Sequence, residues 1–170
     1  MSQIYNRLEP KYNQSGFVLD GCHWFNCDVG VFGTAHGKAI IKNYTNIFEE
    51  LKESNLLVEK FHLSDTIYNK LHRNAIVNHS KIEEKLLDLN FKIILVTFPE
   101  DINILKARIV DRLNLYPHYK NILNTPEWYI AQQQEYISQI QKSCLPYLII
   151  NTNQLPDDNL VKKILDWIGE

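Results

Sequence analysis

The sequence predicts an α/β domain in which a mostly parallel sheet carries helices on both faces, a three-layer sandwich. Two observations point there. Short, nearly continuous apolar runs such as Leu56-Leu57-Val58, residues 91–98 and Tyr147-Leu148-Ile149-Ile150 read as strands buried on both faces. Between them lie stretches whose apolar residues recur at one-face helical spacing, and strands alternating with such helices are the pattern of parallel crossover units. A third observation sets the scale: 170 residues with 45% hydrophobic content suit one core, so residues 1–170 are expected to form a single domain.

Taken in order, residues 1–15 are polar and without clear periodicity, and are expected to be irregular. Phe17-Val18-Leu19-Asp20 reads as a buried strand that stops at Gly21. Residues 22–36 read as a long loop, with room for a little strand, carrying Trp24, Phe25 and Phe32 among Gly30 and Gly33. From Gly37 the recurrence of Ile40, Ile41, Tyr44, Ile47, Phe48 and Leu51 on one face predicts a helix. A strand follows at Leu56-Leu57-Val58, ending at Glu59-Lys60. Ser64 and Asp65 are expected to cap a short helix through Tyr68 and Leu71, and Ile82, Leu86 and Leu89 mark another. Residues 91–98 are the strongest strand, β-branched and closed by Pro99. Ile102, Leu105, Ile109 and Leu113 make a helix face, with Arg108 and Arg112 one turn apart beside it. Residues 115–124 are expected to be mobile. Thr125-Pro126 reads as a cap followed by proline at the first helical position, Tyr147 to Ile150 as the fourth strand, and Asp157 or Asp158 as the start of the last helix.

Composition narrows function by exclusion. Lys plus Arg against Asp plus Glu is 18 − 20 = −2, without long blocks of one sign, which disfavours nucleic acid or an anionic membrane as partner. No apolar run approaches the roughly 20 residues of a membrane helix, and the start lacks a signal-peptide stretch, so the expected location is cytoplasmic. Cys22, Cys27 and Cys144 read as free thiols. Although Cys22, His23, Cys27 and His36 are ligand types, they lack the paired spacing of a structural zinc site, and no metal site is assigned.

In a parallel sheet ligands bind beyond the carboxyl ends of the strands. That rule gathers Asp20, Glu59-Lys60, Pro99-Glu100 and Asn151-Thr152 on one rim. Carboxylates with cations from different elements suit phosphoryl transfer, where catalysis is mostly positioning and charge neutralisation. The competing explanation is ordinary surface ion pairing.

Residues 57–68, Leu-Val-Glu-Lys-Phe-His-Leu-Ser-Asp-Thr-Ile-Tyr, resemble the V-x-D-R-F-H-L-S-E-x-x-Y stretch of the thymidylate-kinase-like deoxynucleotide kinases, members of the P-loop superfamily. Residues 105–112 resemble the arginine-bearing approach to that family's lid, and residues 145–152 its last strand and the loop near adenine. The likeness spans roughly residues 46–169. It implies that Glu59 helps order magnesium or the attacking phosphate, that Lys60 holds the acceptor, and that Arg108 and Arg112 close over the transferred group. His62, Ser64 and Tyr68 would line the acceptor pocket, Gly37 and Lys38 with Asp20 and Asn151 would hold the cofactor, and ATP with Mg2+ would be required for activity. Glutamate and lysine replace the family's aspartate and arginine at positions 59 and 60, and lysine lacks the bidentate fork.

The phosphate-binding motif GxxxxGK[ST] is not reproduced. Gly33-Thr34-Ala35-His36-Gly37-Lys38-Ala39 is one residue short between its glycines, and Ala39 has no hydroxyl. Two alignments stay open. In one, Phe17 to Asp20 is the central strand and its loop is rebuilt; in the other, Gly33 to Lys38 is the family's later G-T-P-x-G-K/E turn, and the central strand and phosphate loop are absent. The functional expectation is a nucleotide kinase moving the γ-phosphoryl of ATP to a nucleoside or nucleotide. The alternative is a catalytically inactive relative acting as a binding or interaction module, with Trp24, Phe25 and Phe32 or Trp128 and Tyr129 as contact residues. A homodimer is the assembly considered.

Overall fold

The computed structural model describes residues 2–12, 21–152 and 157–170, which form a mixed α/β chain with two parallel two-stranded sheets. Strand β1 (Cys22–Asn26) pairs in parallel with β2 (Asn55–Glu59), and β3 (Ile93–Thr97) with β4 (Tyr147–Asn151). The strand expected at residues 17–20 lies outside the described residues. β1 is the little strand for which the loop reading of residues 22–36 left room, and it alternates Cys22 and Trp24 against His23 and Phe25 across the two faces.

The amino-terminal stretch holds a helix, α1 (Ser2–Tyr12), where irregular chain was expected. Its apolar signal is narrow, since among its described side chains only Ile4 and Leu8, four apart, are buried. Both pack on Val161 and Ile164 of α7 (Asp158–Ile168), and ion pairs join the helices through Arg7 to Asp158 and Lys11 to Glu170, each 2.5 Å. Such a helix is made by tertiary packing rather than by propensity, which is why periodicity alone did not reveal it.

α2 (Gly37–Glu50) follows the predicted face, burying Ile41, Thr45 and Phe48. α3 (His62–Arg73) starts two residues before its predicted caps: Ser64 and Asp65 lie inside the helix, fully buried, and the Phe61 carbonyl accepts their N–H groups at 2.9 and 3.3 Å. α4 (Ser80–Asp88) leads to β3. α5 (Ile102–Leu115) is capped by Asp101, whose carboxylate accepts the N–H groups of Asn103 and Ile104 at 2.7 and 3.2 Å.

A 3-10 turn, Pro117–Asn121, occupies part of the segment expected to be mobile. The rings of Tyr116, His118 and Tyr119 meet there, His118 edge-on to both tyrosines. α6 (Pro126–Ile140) opens as predicted, with Thr125 accepting the Trp128 N–H at 3.3 Å, and α7 opens at Asp157, which accepts the Leu160 N–H at 2.9 Å.

Two apolar clusters lie on opposite sides of the strands. One joins Ile4, Leu8, Val161 and Ile164 to Cys22, Leu57, Ile94, Leu148 and Ile150. The other joins Ile41, Phe48 and Leu86 to Phe25, Leu56, Val58 and Ile93. Each of β1, β2 and β3 thus sends alternate side chains to different clusters, as strand pleat requires. Phe25 and Phe32 belong to the second cluster, Phe25 meeting Phe48 edge-on at 5.4 Å between ring centres, whereas Trp24 is exposed beside Tyr5. Cys22 and Cys27 sit in different clusters, where burial raises their thiols to about 11 and about 12.

Candidate functional site

The carboxyl ends of β1 and β2 carry a polar cluster, and its geometry begins with one backbone feature. Lys60, the residue after β2, has φ of +54°, a left-handed conformation that a side-chain-bearing residue adopts at a cost of about 1 kcal/mol. This turn ends the strand, starts α3 and sends the Lys60 ammonium to Asp28 just past β1, at 3.0 Å. Burial pulls the Lys60 pKa down, but the Asp28 hydrogen bond and the charges of Asp28, Tyr68 and Glu59 outweigh it, so the pKa is raised and the ammonium persists.

On the first turns of α3, the Ser64 hydroxyl bonds the Tyr136 hydroxyl of α6 at 2.8 Å. Tyr136 is pushed far up by burial, with the neighbouring Tyr68 and Asp28 adding to the shift, so its phenol stays protonated and can donate. Lys60, Ser64, Tyr68, Asp28 and Tyr136 therefore form one neighbourhood. A cation held against a carboxylate, beside hydroxyls that can donate or accept, suits a small ligand with an anionic group and hydroxyls.

Beneath it lies a second, buried layer. Asp65 is inaccessible to solvent; its carboxylate accepts the Gly33 N–H at 2.8 Å and the Asn69 amide at 3.2 Å, and meets His79 Nε2 at 2.9 Å. Burial lowers the His79 pKa in spite of Asp65, which favours the neutral ring donating through Nε2, and its Nδ1 has no partner among the described residues. His62 Nε2 meets Glu83 at 3.0 Å. Burial raises the Glu83 pKa, but hydrogen bonds from His62, Ser143 and the Cys144 N–H outweigh it and leave it lowered.

This layer decides what the glycine turn does. Gly33 has φ of +77°, and a Cβ there would lie 2.7 Å from that of Tyr68; a Cβ on Gly37 would lie 1.9 Å from the Asp65 carboxylate. The turn from Gly33 to Gly37 is therefore already occupied by the Asp65 side chain, which accepts the Gly33 N–H and sits against Gly37. A phosphate in the same place would face that carboxylate at contact distance, so the turn does not fit ATP phosphates. Lys38 is the second residue of α2 and lines a separate cavity with Lys42, Lys81 and Lys85, none of the rim cluster among its walls.

The remaining predicted residues are dispersed. Glu59 ends β2, half-buried, next to the cluster. Arg108 reaches the Thr152 carbonyl at 3.4 Å, and Arg112 lies over the rings of Tyr116 and Tyr119 at 5.1 and 4.6 Å. Asn151 is the exposed last residue of β4, and Asp20 lies outside the described residues. Glu100 accepts bonds from Gln133 and Gln134, and the Gln133 amide also clasps the Phe98 N–H and carbonyl at 2.8 and 3.1 Å, tying α6 to the end of β3.

Sequence reasoning missed Asp28, Tyr136 and the Asp65–His79 pair as site-forming groups. Tyr136 stands 72 positions from Ser64 and carries no motif. Asp28 had one signal, its place just before the Gly30 turn at a strand end. No helix among the described residues is long and apolar enough to cross a membrane, and no group of three metal-ligating side chains occurs among them. In comparisons with protein-family models, curated proteins and solved structures, nothing matches this chain.

Proposed function

We propose that the protein binds a nucleoside or nucleotide at the carboxyl ends of β1 and β2, as the acceptor half of a thymidylate-kinase-like, P-loop-type three-layer sandwich. The supporting observation is the Lys60–Asp28 pair at 3.0 Å beside the Ser64–Tyr136 hydroxyl pair at 2.8 Å. Lys60 would receive the ligand's phosphate, partly released from Asp28, and Ser64, Tyr68 and Tyr136 would meet its hydroxyls and base edge. His62 would act indirectly, locked to Glu83 and bracing the first turn of α3. The shared apolar clusters on both sides of the strand pairs support the three-layer reading.

The proposal stops at binding and does not extend to phosphoryl transfer, because the glycine turn that would hold ATP is filled by Asp65. Of the two functional readings, the binding module is therefore favoured over the kinase. The test is calorimetric titration of the full chain with thymidine 5′-monophosphate, inorganic phosphate and Mg-ATP. Saturable binding of the nucleotide, weakened about tenfold or more in Lys60→Ala, is expected, as for loss of a charge-assisted hydrogen bond. Absence of heat at millimolar nucleotide, or equal binding by Lys60→Ala, overturns the proposal. Mg-ATP binding that Lys38→Ala abolishes would instead restore the kinase reading.

A further inference from the structure

The ladder bonds show which edges of the two sheets are open. Asn55 N–H donates to the Gly21 carbonyl at 2.9 Å and Cys27 N–H to the Glu59 carbonyl at 3.0 Å. Alternation along a parallel strand then turns Asn55, Leu57 and Glu59 toward β1 and leaves the N–H and C=O of Leu56 and Val58 facing the other way. On the second sheet, Ile93 N–H donates to the Pro146 carbonyl at 2.8 Å and Thr152 N–H to the Thr97 carbonyl at 2.9 Å. Ile94 and Val96 are accordingly left facing away from β4. These four residues have no ladder partner among the described residues.

The two open edges face one cavity. Leu56, Val58, Ile94 and Val96 all line a cavity of about 470 Å³. Ser54 and Asn55 before and at the start of β2, and Asn90 and Lys92 before β3, also line it, so the cavity borders the beginnings of both strands. Because β2 and β3 also feed the same two apolar clusters, they lie in one layer with a place between them that no described residue fills. Incomplete burial agrees: no residue of β2 is buried, and Val96 of β3 is 49% exposed, although these runs are composed as interior strands.

The course of α1 says how the place is reached. Arg7 pairs with Asp158 at the start of α7, on the side where the strands end, while Tyr12 pairs with Glu170 just past its finish; Ile4, Leu8 and Tyr12 all line the cavity. α1 thus descends beside the opening, the path of a helix that follows a parallel strand.

We propose that this slot is the seat of one extended, uncharged, β-branched strand of about five residues, parallel to β2 and β3 and joined to the amino terminus of α1. Its backbone bonds both open edges, converting two pairs into one five-stranded sheet, and its side chains alternate between the two apolar clusters. The proposal rests on the fold and not on nucleotide binding.

Amide hydrogen exchange read by NMR tests it. In the unmodified full chain, Leu56, Val58, Ile94 and Val96 should exchange fast, whereas Leu57 and Leu95 are protected. Uniform protection, or protection that appears with rising protein concentration as a second copy associates, overturns the proposal. An extension placing Ile-Val-Val-Ile-Val before Ser2 through a six-residue Gly/Ser linker should slow the four fast amides about 100-fold or more. A Gly/Ser extension of equal length should not. Equal rates in the two extended proteins overturn the proposal. Should the strand extension precipitate, the same five residues flanked by lysines and added as a free peptide at millimolar concentration give the same readout: slowing of the four amides supports the slot, and unchanged rates overturn it.

Discussion

Asp65 shows how one buried side chain governs a turn, a helix and a pH response. Its carboxylate lies where a Gly37 Cβ would be, with three other groups holding it in place. Gly37→Ala is therefore expected to lower stability by about 1–3 kcal/mol, as overpacking does, read as a lower urea midpoint with unchanged slope. His79 carries a pKa lowered from 6.5 in the fold, mainly by burial. The unfolded chain then binds the proton more readily, so stability is fully present above pH 6.5 and declines as pH falls through the lowered value. Thermal midpoints should drop as pH falls below about 6.5, and His79→Gln should flatten that drop while lowering the midpoint at neutral pH. His79 did not stand out in the sequence and Asp65 stood out only as a cap, because a buried Asp–His contact joins residues 14 positions apart with no periodic mark.

Elements are legible where their signals are local. The caps at Thr125 and Asp157 follow from residue type and occur where expected, since a side-chain oxygen reaching an N–H two or three residues on is a short-range fact. Asp101 caps α5 in the same way, and Asp101→Ala is expected to cost about 1 kcal/mol in urea unfolding. α3 shows the limit of this logic. Ser64 and Asp65 have cap chemistry, but their oxygens are taken by Tyr136 and by Gly33 and His79, so the helix starts at His62. α1 escapes a local reading because, of its described side chains, only Ile4 and Leu8 are buried, and β1 is only loosely placed within residues 22–36 because it is interrupted by His23 and Asn26 and acquires its identity from pairing with β2.

For the whole molecule, the shared clusters imply that both strand pairs unfold together. Phe48 is completely buried among Phe25, Phe61 and Phe91, so Phe48→Ala should cost about 3–5 kcal/mol. The loss should move the fluorescence transition of Trp167, on the opposite helix α7, as far as the far-UV dichroism transition; separate shifts would mean that the two clusters melt independently. The sequence by itself determined the alternation of strands and helices, their polarity and most helix starts, because apolar periodicity and capping are set within a few residues. It also placed Glu59 and Lys60 at a strand end. Only the tertiary structure decided that Lys60 meets Asp28, that Asp65 fills the glycine turn, and that the strands form two parallel pairs sharing the same apolar clusters. Those outcomes depend on groups brought together from distant positions under burial, where an unpaired polar atom or an unfilled edge is costly and which partner satisfies it is decided by packing.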